Sequence, residues 1–231
     1  IVMLIILVGI VFLWLNSRGK FMFIWNLAGN RAEVVAPWRD FSQQGNSLFV
    51  WQIVIGLVLL VPALLLGLVM LLTALPCFKA NDFNAAALSI IISAAVVLIL
   101  YLIGVAIYYF LLNSVVVPIM FKKKLAFLPA IGEFSRIFIP NLFTFVKFAV
   151  LYLILEMLAG MILLTLAIVI LCVCCCMCCV IMVLLALPYI STVVILPVLA
   201  YFRLFSLEVL ARIDPCLDCF APPAPAQAPA P

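Results

Sequence analysis

Five stretches of this chain stay apolar for about the length that crosses a bilayer, and its polar residues gather between those stretches rather than alternating within them. The first covers 1–15 (IVMLIILVGIVFLWL), the second about 48–75 and the third about 85–112. One unbroken apolar run, about 142–202, holds the fourth and fifth, which we place at 142–172 and 180–202. A membrane-crossing helix takes about 20 apolar residues, and at about 1.5 Å of rise per residue that last run is too long for one crossing. The period-two alternation of a membrane strand is missing. The pattern predicts an all-α fold: a polytopic transmembrane helical bundle with five visible spans.

The two long connections between spans read differently. Segment 18–45 places Phe21, Ile24, Trp25, Ala28 and Val35 at roughly helical spacing, and 119–141 has similar amphipathic content. All four tryptophans, Trp14, Trp25, Trp38 and Trp51, lie in or beside the first connection. An indole favours the headgroup boundary, because its rings are apolar and its N–H wants water. Both connections are therefore expected as helices along the membrane surface. They also echo one another. FLWLNS at 12–17 resembles YFLLNS at 109–114, FMF resembles IMF, DFS resembles EFS, and LFVW resembles LFTF, at offsets of 97, 98, 93 and 94. This suggests a span–surface–span unit repeated in parallel orientation, with convergent interface chemistry as the alternative.

Charge sets an orientation. With five alternating spans, eleven of the twelve basic residues fall on one side and only Lys79 on the other. The positive-inside rule makes the crowded side cytoplasmic. Lys122, Lys123 and Lys124 act as a topology anchor that can also attract anionic lipid. Composition changes the picture little: 71% of the residues are hydrophobic, 9% are charged, and mean hydropathy is +1.50. A soluble domain is nearer half apolar and a quarter charged. The net charge of +4 is too small to suggest nucleic acid. Histidine is absent, which removes the usual general base and the commonest zinc ligand. The chain opens with Ile1 inside an apolar run, so further N-terminal residues, including a sixth span, are expected upstream. The tail at 214–231 ends APPAPAQAPAP and should be extended and cytoplasmic.

The phrases NSRGKFMF, NRAEVVAPWRDF and NSLF, with YFRLFSLEVLARI after a proline-containing last span, carry a resemblance. Together they resemble a family of uncharacterised bacterial multispan membrane proteins. They are also similar to the membrane domain attached to some glycerophosphodiester phosphodiesterases. The resemblance covers most of the chain after Asn16 and implies about six helices with no assigned activity.

Three sets of residues are candidates for chemistry. Glu156 lies nine residues beyond Lys147, roughly 13 Å deeper along the helix. A carboxylate there is costly in lipid unless paired or protonated. It is either an ion or ligand site with Tyr101 and Tyr152, or a protonated acid bonded to Tyr101, Tyr108, Ser93 or Tyr152. Cys172, Cys174, Cys175, Cys176, Cys178 and Cys179 crowd the turn between spans four and five. They offer soft metal ligands, but apolar surroundings favour protonated cysteines that pack as small hydrophobes. Cys216 and Cys219 form a Cys-x-x-Cys pair that lacks the two further ligands a zinc site needs. Pro62, Pro188 and Pro197 interrupt spans, while Gly56, Gly67, Gly104 and Gly160 permit close helix contacts.

No catalytic set is recognisable, and no cofactor is implied. We therefore expect a non-enzymatic accessory or scaffold subunit of a larger complex in the bacterial inner membrane, its partners being lipids and other membrane subunits. The alternative is a transporter or small-solute permease using Glu156.

Overall fold

Hydrocarbon offers a backbone no water to bond to, so a chain of this composition must satisfy its peptide groups within each segment. The computed structural model describes residues 2–30, 32–80, 85–173 and 188–220, and all regular structure among them is helical. In chain order, α1 is Val2–Gly29, α2 is Val35–Asp40, α3 is Ser42–Ala80 and α4 is Ala85–Leu111. A π-helical turn, Leu112–Val116, leads into α5, Val117–Lys123. After these come α6 (Phe127–Phe138), α7 (Leu142–Val173) and α8 (Pro188–Ile213), and a 3₁₀ turn, Pro215–Leu217, follows.

Four helical stretches are long and apolar enough to cross a membrane: Met3–Gly29, Ser42–Thr73, Leu88–Lys123 and Leu142–Val169. These match the first four expected spans, and the protein is a membrane protein on this evidence. The fifth expected span, 180–202, falls partly outside the described residues, and its later part belongs to α8. The boundaries differ in one respect. Helix α1 does not stop near Leu15 but continues to Gly29, so only α2 is a separate helix in the first connection. Hydrophobicity drops after Leu15, yet helical geometry persists because 16–28 contain neither proline nor a β-branched run. Phe21 and Ile24 are buried as their spacing suggests, whereas Val35 is 72% exposed.

The prolines and glycines also act differently from expectation. Helix α3 runs unbroken through Pro62, and α8 runs through Pro197 and, as described, begins at Pro188. Pro118 has the clearest local effect: it cannot donate to the Ser114 carbonyl one turn back, and the π-helical turn lies at that point. A Cβ added at Gly56, Gly67, Gly104 or Gly160 would meet nothing within 4 Å among the described residues, so none of these glycines sits at a close contact with another described helix.

The chain groups into two compact units. The first comprises Ile1–Met22 and Glu33–Ala130. There α3 packs along α4. Three aromatic rings stack in series, Phe21 on Phe41 at 6.0 Å and Phe41 on Phe121 at 4.8 Å. The start of α3 also holds the turn after α5. Gln44 Nε2 donates to the Lys124 carbonyl at 3.0 Å, and the Phe127 amide donates to Ser47 Oγ at 3.1 Å. Lys124 takes the left-handed conformation (φ 52°) that ends α5, as Asn30 (φ 46°) does after α1.

The second unit comprises Phe23–Ala32 and Ile131–Pro231. Its described core joins α7 to α8 through aromatic rings: Phe148 meets Phe205 at 5.7 Å and Tyr152 meets Phe202 at 4.9 Å. Phe138 and Phe145 meet at 5.2 Å where Pro140 stops α6.

Phe41 is 3% exposed and touches rings on both sides. Phe41→Ala should destabilise the folded protein by about 3–5 kcal/mol in a denaturing-detergent titration, as deletion of a buried aromatic ring does.

Candidate functional site

The side chains that come together most specifically lie where the first apolar run gives way to polar residues. Trp14, Ser17 and Arg18 project from successive positions of α1 as it leaves that run, Trp38 comes from α2, and Asn46 and Gln52 come from the first turns of α3. All belong to the first compact unit. Spacing of three and four places Trp14, Ser17 and Arg18 on neighbouring faces of one helix.

Arg18 is the centre of the cluster. Its guanidinium carbon lies 4.6 Å from the centroid of the Trp14 ring and 5.0 Å from that of Trp38. The two indoles meet edge-on, 5.6 Å apart with planes at 87°. Each contact is a cation–π attraction, worth about 0.5–2 kcal/mol depending on how far the site is shielded from water. The Asn46 Oδ1 atom accepts from Arg18 Nε at 3.2 Å, Arg18 Nη2 at 3.0 Å and Trp14 Nε1 at 3.2 Å. One amide oxygen thus fixes both the cation and the ring beneath it. Among the described residues, no carboxylate lies against Arg18.

The α3 backbone comes close at the same point. A Cβ at Gly45 would lie 2.8 Å from Arg18 Cγ and 3.4 Å from Arg18 Cα, so only glycine lets α3 approach α1 here. Beside this contact, Ser17 is fully buried and Gln52 is 7% exposed. The Ser17 hydroxyl oxygen lies 2.8 Å from the Leu13 carbonyl and 2.7 Å from the Gln52 side-chain amide. Its single proton serves one acceptor. With the amide turned so that its NH2 donates to Ser17, Ser17 donates to Leu13 and all three groups are satisfied.

The residues singled out from the sequence are placed as follows. Trp14 and Trp38 stand edge-on to each other against Arg18. Trp51 stacks on Phe127 at 5.7 Å, and Trp25 lies half-buried on α1. Lys122 and Lys123 fall in the last turn of α5, where cations complement the exposed carbonyls, and Lys124 Nζ sits 5.9 Å over the Phe41 ring. Tyr101 donates to the Leu59 carbonyl and Ser93 to the Ile90 carbonyl. The buried Tyr108 hydroxyl has no hydrogen-bond partner among the described residues. Tyr152 packs between Phe148 at 6.0 Å and Phe202 at 4.9 Å. Glu156, one turn further along α7, is exposed and has no hydrogen bond or ion pair among the described residues.

Cys174, Cys175, Cys176, Cys178 and Cys179 lie outside the described residues. Cys216 is exposed and Cys219 half-buried, and the Cys219 thiol donates to the Leu217 carbonyl at 3.5 Å. The neighbouring acids are engaged in turns: Asp214 accepts from the Cys216 amide at 3.0 Å and Asp218 from the Phe220 amide at 2.8 Å. Among the described residues, no three cysteines or acids converge on a point that could hold a metal ion.

Sequence reading noticed the tryptophans as boundary anchors but not Arg18. The available signal was the spacing Trp14-x-x-x-Arg18 on one helix face; Trp38, Gly45 and Asn46 are brought to it only by the fold.

The chain matches the pattern of a described family over residues 1–220. It belongs to DUF7544, a family of unknown function. No curated protein and no solved structure matches it. Family membership therefore adds no activity to what the geometry offers, which is a rigidly held cation and two indoles at the edge of an apolar span.

Gly45→Ala should force Arg18 away from α3. We expect a loss of about 1–3 kcal/mol, the usual cost of overpacking, together with a change in tryptophan fluorescence as the indoles separate from the cation.

Proposed function

We propose that the chain is a non-enzymatic accessory or scaffold subunit of a larger membrane assembly, seated in a bacterial cytoplasmic membrane with its basic connections on the cytoplasmic side. The observation that carries this reading is Glu156. It stands exposed near the middle of a helix that runs from Leu142 to Val173, with no hydrogen bond or ion pair among the described residues. Lipid on that face would make the carboxylate expensive, by about 2.5–3.5 kcal/mol on insertion scales. A helix from a partner that supplies a donor removes that cost. In the most apolar 18-residue stretches of α3 and α7 no residue is buried, and Gly56, Gly67 and Gly160 on these helices meet no described atom within 4 Å of an added Cβ, which leaves room for further helices to pack.

Two further features support the reading. The likeness to the membrane domain attached to some glycerophosphodiester phosphodiesterases suits a segment that works beside another protein. The left-handed residues Asn30 and Lys124, 94 positions apart, fall at the offset of the sequence echoes. Each follows a long helical stretch, Met3–Gly29 and Leu88–Lys123, and precedes a short helix and a long one, as a duplicated span–surface–span unit requires. The eleven-to-one division of basic residues supports the orientation.

A photo-crosslinking residue in place of Glu156 tests this in the native membrane. A discrete adduct with a second polypeptide is the expected product. Glu156→Leu should leave the chain folded yet reduce recovery of that companion in mild detergent by about tenfold, the equivalent of one lost charge-assisted contact. Adducts to lipid alone would defeat the subunit reading. Efficient quenching of the probe by water would favour a solute pathway through Glu156.

A further inference from the structure

We propose that Arg18, packed against Trp14 and Trp38, binds the phosphate of a phospholipid headgroup. The argument begins with the donors. A guanidinium carries five N–H groups in a fixed plane. Its Nε and one Nη2 hydrogen face Asn46 Oδ1, at 3.2 and 3.0 Å. The other Nη2 hydrogen and those of Nη1 point from the far end, and no acceptor meets them among the described residues. Two parallel donors at the end of a guanidinium match two oxygens of a phosphate, which is why arginine outperforms lysine at such sites.

The fork is also held in place. Two indoles set edge-on to each other pack against it, at 4.6 and 5.0 Å, Asn46 fixes its side, and Gly45 lets the α3 backbone press on its stem. Little conformational freedom is left to lose on binding. The rings take the place of water over part of the half-buried cation, while no acid of the described chain compensates its charge. A site of this kind is completed by an anion arriving at the open edge.

Position chooses the anion. Arg18 lies three residues past the end of the apolar run 1–15, and indoles settle at the headgroup level. The anion concentrated at that depth is the lipid phosphodiester. Its glycerol and upper acyl carbons would meet the outer edges of the same indoles, a contact that free phosphate lacks. The inference is independent of any partner at Glu156, which lies in the other compact unit.

The experiment uses the purified full chain in mild detergent, with short-chain phosphatidylglycerol titrated and retained lipid counted by native mass spectrometry. The wild type should hold one lipid in preference to further copies. Arg18→Gln should weaken that first binding about tenfold, and Arg18→Lys, which keeps a charge but not the fork, about threefold. Inorganic phosphate at millimolar concentration should not displace the lipid. Where Arg18→Gln fails to keep its helical circular dichroism, Arg18→Lys decides alone. Retention equal to the wild type in the folded variants would show that water alone serves the fork and would overturn the proposal. Displacement by inorganic phosphate would reassign the ligand to the free anion and overturn the lipid.

Discussion

In hydrocarbon a peptide group that finds no internal partner loses a hydrogen bond outright, and nearly everything in this chain follows from avoiding that loss. Helices satisfy the requirement one segment at a time, so the spans form without a shared core to drive them together. Their few polar side chains follow the same rule. Thr73 donates to the Val69 carbonyl at 2.9 Å, Thr165 to Met161 at 2.8 Å and Ser93 to Ile90 at 2.9 Å, each returning its hydroxyl to its own helix. Such a hydroxyl costs little in lipid and imposes no partner. Among the described residues, Glu156 and the buried Tyr108 hydroxyl depart from this rule, since neither has a hydrogen-bond partner.

Near the ends of the apolar stretches, side chains begin to specify structure. In the first unit the Trp14–Arg18–Trp38–Asn46 cluster, the Ser17–Gln52 pair and the Gln44 and Ser47 bonds to the turn at 124–127 all involve the opening turns of α3. Directional contacts therefore gather near that helix end, while α3 further along meets α4 through apolar side chains and the Tyr101 bond to Leu59. This division has a physical basis. Packing between helices in lipid gains no hydrophobic energy, so polar and cation–π contacts carry register where they can be made.

The two copies of the echoed pattern show how much local chemistry can vary on one plan. NS at 16–17 sits in a regular helix, where Ser17 finds Gln52, whereas NS at 113–114 lies in a π-helical turn ahead of Pro118. The first connection ends in a six-residue helix around a buried Pro37 and the second in a twelve-residue amphipathic helix. A proline four residues beyond a serine is enough to shift hydrogen-bond register, because it removes the amide that would have met the serine's carbonyl.

Fold class and the first four spans were legible directly, since hydropathy over about 20 residues is a bulk property that needs no knowledge of contacts. Helix α1 extending past Leu15 was not, because a weakly apolar stretch stays helical once nucleated. Nor could the glycines be read: spacing alone made Gly56 and Gly104 look like contact points, while the close approach occurs at Gly45. Arg18 looked like one more cytoplasmic charge. Its distinction arises from Trp38, Gly45 and Asn46, which lie 20 to 28 positions away in sequence and reach it only when α2 and α3 fold back along α1. What a residue prefers as its solvent is written in its own chemistry, whereas what it touches is decided by how the chain returns to it.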